Sequence, residues 1–120
     1  FETFLRTFRR SHVLLAVFVE CHVTSVHLAA AIKKFVMQTA KGYSVYVLPA
    51  ATNDSHDYSG AVIVWDPRHV HLDEGNLEIL SPGRAVSIPL YSPYPALQGT
   101  LLVTYMYPSC NRIAMTVMCE

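Results

Sequence analysis

Short apolar runs rich in β-branched residues, each closed by turn formers, constrain the fold of this chain more than any other feature. SHVLLAVFVECHV at 11–23, YSVYVLP at 43–49, AVIVW at 61–65, RAVSIPL at 84–90, LLVTYMY at 101–107 and RIAMTVMCE at 112–120 are of strand length. The run at 13–19 reads as a buried strand, and so does 61–65, which Asp66-Pro67 closes. ATNDSHDYSG at 51–60 reads as a polar loop, and LDEGNLEILSPG at 72–83 as a loop with a short apolar insertion. Pro89 predicts the point where its strand leaves the sheet, because a proline cannot donate to a central ladder. Short strands with long connections predict an all-β antiparallel β-sandwich rather than an α/β layer fold. Residues 1–120 show no internal repeat and no linker, so they read as a single domain.

One segment follows a different period. In VHLAAAIKKFVMQTAK at 26–41, Leu28, Ile32, Phe35, Val36 and Thr39 fall on one helical face, with Lys33, Lys34, Gln38 and Lys41 largely opposite. The spacing predicts a short helix around 28–40, stopped at Gly42. A strand at 26–32 running into a loop is the alternative. Phe1, Phe4, Leu5 and Phe8 recur at helical spacing, and the same aromatics suit a strand or a bend.

The composition is 52% hydrophobic and 15% charged over 120 residues. Apolar surface left over once a core is filled marks an interface. The net charge is zero, and the only basic cluster is Arg6, Arg9 and Arg10, too small for a nucleic-acid footprint. Cys21, Cys110 and Cys119 are odd in number and lack paired spacing, which favours a reducing compartment over a disulfide framework. No signal-peptide pattern is present, and the apolar run at 13–19 is too short to span a bilayer.

Chemistry-bearing constellations are sparse. His69-Val70-His71 would put both imidazoles on one face of a strand, where they form a weak metal-ligand pair needing a third group such as His56, Asp57 or Asp66. Solvated loop histidines are the plainer reading. Cys21, His22 and His27 lack a CxxC or HExxH companion, and Cys21 reads as a small hydrophobe at a strand end. There is no glycine elbow around a serine or cysteine and no glycine-rich phosphate loop, so the chain does not read as an enzyme, and no cofactor is expected. Tyr91, Tyr94, Tyr105 and Tyr107 cluster beside Pro89, Pro93, Pro95 and Pro108. They suit an assembly interface or an ordinary sandwich core. Loops 51–59 and 66–83 are expected to project from one end of the sandwich. They carry Asn53, Asp54, His56, Asp57, Arg68, His69, His71, Asp73 and Glu74 as contact candidates for subunits or a receptor.

The order of segments is more specific than any one of them. Gly60-Ala61-Val62-Ile63-Val64-Trp65-Asp66 is followed by Val86-Ser87-Ile88-Pro89-Leu90-Tyr91-Ser92-Pro93-Tyr94. Then come Gly99-Thr100-Leu101-Leu102-Val103, a Pro-Ser-Cys-Asn turn at 108–111, and Ile113 to Cys119. This succession resembles the second half of the jelly-roll coat proteins of picornaviruses and related picorna-like positive-strand RNA viruses. Phe4 to Arg10 ahead of Val13–Val19 looks like that family's aromatic–arginine approach to its fourth strand. Ser11 stands where the family has glycine, and Leu90 where it has an aromatic.

The resemblance implies a viral-coat jelly roll lacking its first strands, with 26–32 as the fifth strand. It implies a structural capsid protein that assembles with copies of itself and sister coat proteins into an icosahedral shell. That shell encloses genomic RNA and meets a host receptor. Location would be the virion, and the host cytoplasm during assembly. A cellular β-sandwich binding or adaptor module and a small metal hydrolase using His69 and His71 are the competing readings.

Overall fold

The computed structural model describes residues 2–19, 21–50, 60–95, 98–105 and 115–119, with Tyr105 and 115–119 described by backbone alone. Two short helices open the chain, α1 (Glu2–Arg6) and α2 (Phe8–Ser11), followed by β1 (Leu15–Val19) and α3 (Val26–Thr39). Next come β2 (Ser44–Leu48), β3 (Ala61–Trp65), β4 (His71–Leu72), a 3-10 turn at Glu74–Asn76 and β5 (Glu78–Ser81). β6 (Ala85–Tyr91), β7 (Gly99–Tyr105) and β8 (Met115–Cys119) complete it.

The strands form two antiparallel sheets, as the apolar runs predict. One is three-stranded in the order β1-β3-β2, and the other runs β4-β6-β7-β8 with β5 also on β6. Between them lies a core of Leu48, Ala61, Ile63, Trp65, Val86, Ile88, Leu90, Leu101 and Val103. Alternation along β6 and β7 puts Val86, Ile88, Leu90, Leu101 and Val103 inward and leaves the intervening residues half-buried or exposed.

The other face of the three-stranded sheet is covered by helices. Val47, Val62 and Val64 pack there against Leu5, Phe8, Val23, Val36, Ala40 and Tyr43. β3 is therefore buried on both faces, which explains its unbroken apolar sequence.

Residues 26–32 are helical, and the fifth strand implied there by the resemblance is not formed. The reason is local. Ser25 is an extended N-cap whose hydroxyl accepts from Leu28 N at 3.0 Å, and Ala29, Ile32, Phe35 and Val36 then face the sheet at helical spacing. Leu28, expected on that face, is exposed. The helix ends at Thr39, and Gly42 reverses the chain with φ +87°. Phe4 and Phe8 lie in helices rather than a strand: Phe8 is fully buried and sits edge-on to Phe4 and Tyr43 and stacked on Phe18.

Three further expectations change. The run at 13–19 gives an edge strand, β1, whose five residues are all only half-buried. Pro89 lies within β6, opposite Thr100, and the strand continues to Tyr91. Its carbonyl accepts from Asp73 N, so its missing N–H faces the same way, into the interruption between β4 and β5 where no ladder partner is needed.

The segment 66–83 is also not a loop at one end. It starts at the Trp65 end, carries β4 and β5 along β6, and finishes where Gly60 N donates to Gly83 O. Loop 51–59 lies outside the described residues, but its anchors, Leu48 and Ala61, pair at the end of the sheet opposite Trp65. Segment 66–83 thus runs from the Trp65 end to the Gly60 end, where the anchors of 51–59 also lie.

Candidate functional site

Polar side chains of four segments converge at the Trp65 end of the sandwich. They line a cleft of about 320 Å³, formed by Arg9, His12, Tyr43, Asp66, Arg68, His69 and Tyr94 together with Leu14. Each group is placed by a local device.

Asp66 leaves β3 and starts a tight turn. Its carbonyl accepts from His69 N at 3.1 Å and Val70 N at 2.9 Å, and its Oδ1 accepts from Arg68 N at 3.1 Å. Its own N–H donates to Leu14 O at 2.9 Å, which ties β3 to the approach of β1. Arg68 closes over the carboxylate, with Nε 3.0 Å from Oδ1 and Nη2 2.9 Å from Oδ2. The carboxylate is 4% exposed while the Arg68 side chain is 66% exposed. The Arg68 hydrogen bonds hold the Asp66 carboxyl below the usual carboxylate range, against the burial that would raise it.

Tyr43 precedes β2, and its hydroxyl donates to Val13 O at 2.6 Å. Burial pushes its phenol up and Asp66 adds to this, while Arg68 and Arg9 oppose it. Arg9 and Arg68 thus act on one common point from different elements. Arg9 extends from α2, donates through Nη2 to Lys41 O at 2.8 Å, and lies over Gly42. His12 caps α2 in the left-handed conformation, with φ 55° and ψ 42°. Tyr94 is held by a Ser-Pro-Tyr turn: its N–H donates to the Ser92 hydroxyl at 3.1 Å, and Gln98 Nε2 donates to Ser92 O at 2.6 Å. Its hydroxyl lies 3.4 Å from His69 Nδ1.

The residues singled out in the sequence are distributed unevenly. Arg68, His69 and Tyr94 meet in the cleft. His71 does not join His69; it pairs across the ladder with Tyr91 and stacks on its ring at 6.2 Å. His69 precedes β4, so the strand alternation that would have put the two imidazoles on one face does not apply. Among the described residues, no group of three or more His, Cys, Asp or Glu is arranged to hold a metal. Asp73 and Glu74 belong to the 3-10 turn beside β6, where Asp73 Oδ2 accepts from Asn76 Nδ2 at 2.7 Å. Tyr91 and Tyr94 are exposed, at 55% and 45%. Asn53, Asp54, His56, Asp57 and Tyr107 lie outside the described residues, and Tyr105 is described by its backbone only, at the end of β7.

Cys21 donates to Phe18 O at 3.3 Å, and burial pushes its thiol up to about 11. Arg9, His12 and Tyr43 were not singled out as site residues by their pattern. They come from segments with no shared motif, and only the tertiary fold brings them to Asp66.

A second cleft, of about 340 Å³, opens between the sheets at the β1 edge. It is lined by Val13, Leu14, Leu15, Val70 and Leu90 and is almost wholly apolar. No helix among the described residues is long and apolar enough to cross a membrane. No family model, curated protein or solved structure matches the chain.

Proposed function

We propose that the chain is a structural subunit of the viral-coat type, which acts by burying surface against copies of itself and sister subunits. The observation that carries this reading is an open apolar edge: among the described residues three strands face five, and the apolar cleft opens at the β1 edge. β1 reads Leu-Ala-Val-Phe-Val, without a charge, proline or bulge to blunt pairing with another chain. On the larger sheet, Ile79 and Leu80 of β5 are 50% and 52% exposed, and Tyr91 and Tyr94 add aromatic surface. Such surface favours association.

The jelly-roll arrangement is the finer part of the proposal. β6, β7 and β8 are consecutive antiparallel neighbours, as in the first three strands of a Greek key. The described strands number eight in two sheets, three and five, which is the count a jelly roll uses. On this reading the shell forms in the host cytoplasm, encloses RNA and presents its polar segments to a host receptor. Small contacts repeated around a closed symmetric shell give it stability.

Sedimentation velocity of the purified chain over a range of concentrations tests the proposal. Association beyond a monomer is expected, weakened by Ile79→Lys combined with Leu80→Lys. A single monomeric species at every concentration overturns it and favours a cellular β-sandwich module.

A further inference from the structure

We infer that the cleft between Arg9, His12, Arg68, His69 and Tyr94 binds a small oxyanion of the phosphate class, free or as a monoester. The inference is independent of the assembly role.

Its first support is the balance of charge. Among the described residues Asp66 is the only carboxylate on the cleft, and Arg68 already neutralises it through two side-chain hydrogen bonds. Arg9 adds a positive charge, and among the described residues it bonds the Lys41 carbonyl rather than a carboxylate. The cleft is therefore cationic, although the chain as a whole carries no net charge.

The second support is donor geometry. Arg9 reaches Lys41 through Nη2 alone, and Arg68 reaches Asp66 through Nε and Nη2. Each guanidinium keeps further N–H groups for a ligand. His69, also on the cleft, meets Tyr94 through Nδ1, a contact that does not engage its Nε2. Donors from α2, from the turn after β3 and from the turn after β6, three separate elements, line one cleft. That suits a tetrahedral oxyanion better than a planar carboxylate, which one guanidinium fork would satisfy.

The third support is His12. It adopts a left-handed conformation that costs energy for a residue other than glycine, and it lines the cleft. Held conformations of this kind cluster at ligand clamps. The cleft volume is at the lower end of the range for small-molecule sites, which limits the ligand to a small anion.

Calorimetric titration of the full chain at low salt with inorganic phosphate, glycerol phosphate and acetate provides the test. Saturable binding of phosphate or of glycerol phosphate is expected, with acetate much weaker. Phosphate alone identifies the free anion as the ligand, and tighter binding of glycerol phosphate identifies a monoester. Arg9→Gln and His12→Asn should each weaken binding about tenfold or more, the loss of one hydrogen bond to the anion. Lys33→Gln with Lys34→Gln, on the exposed face of α3, should leave it unchanged. His12 is exposed and asparagine tolerates its backbone, so that variant decides the matter even if Arg9→Gln affects folding. Absence of saturable binding, equal binding of acetate, or unaltered affinity in His12→Asn overturns the inference.

Discussion

Arg68 grips the carboxylate of Asp66 from two positions along the chain, through both Nε and Nη2, at 3.0 and 2.9 Å. The pair belongs to a turn that also receives two backbone hydrogen bonds at the Asp66 carbonyl. A surface fork and a buried carboxylate thus set the corner where β3 leaves the sheet.

Acid should weaken this corner. The Asp66 carboxyl is held below its ordinary value in the folded chain, so it favours folding above the unfolded value of about 3.9. That contribution fades as pH falls from there through the folded value. Asp66→Asn should lower the urea midpoint at pH 7, and the gap to the parent should narrow by pH 3. A gap of equal size at both pH values would count against the ionised fork.

The helical layer predicts a contrast between two aromatics. Phe8 is fully buried against Phe18 and Tyr43, whereas Phe4 is 53% exposed. Phe8→Ala should cost about 3–5 kcal/mol by urea denaturation, and Phe4→Ala markedly less. Similar losses at both positions would contradict the packing.

Ser25 provides a test of α3. Its hydroxyl caps the helix at Leu28 N, so Ser25→Ala should cost about 1 kcal/mol and Ser25→Asp much less. Were 26–32 a strand, neither change would follow capping chemistry.

Burial should protect Cys21. Its thiol rises from 9.0 to about 11, so at pH 8 the thiolate is ~100-fold scarcer than for an ordinary thiol. Alkylation followed by peptide mass spectrometry should find Cys21 slow in the native chain and fast in urea.

The parts of this fold that were legible were those governed by local chemistry. β3 could be read because five successive apolar residues need cover on both faces, and α3 because its apolar and lysine-bearing faces recur at helical spacing. β1 is just as apolar, but whether a strand is central or at an edge depends on neighbours far along the chain. The segment 66–83 looked like a loop because β4 is two residues long and β5 is exposed at Glu78, Ile79 and Leu80. In the cleft, Arg68, His69 and Tyr94 stood out by residue type, whereas Arg9, His12 and Tyr43 reach it only through the path of the chain.

The middle position of β3 has a consequence for how the molecule comes apart. Ala61, Ile63 and Trp65 serve one core and Val62 and Val64 the other, so neither can melt while the strand stays in place. The two cores should act as one cooperative unit. Trp65, the sole tryptophan, reports on the inter-sheet side, and far-ultraviolet dichroism reports on the helices across the strand. Both signals should trace a single transition with one midpoint.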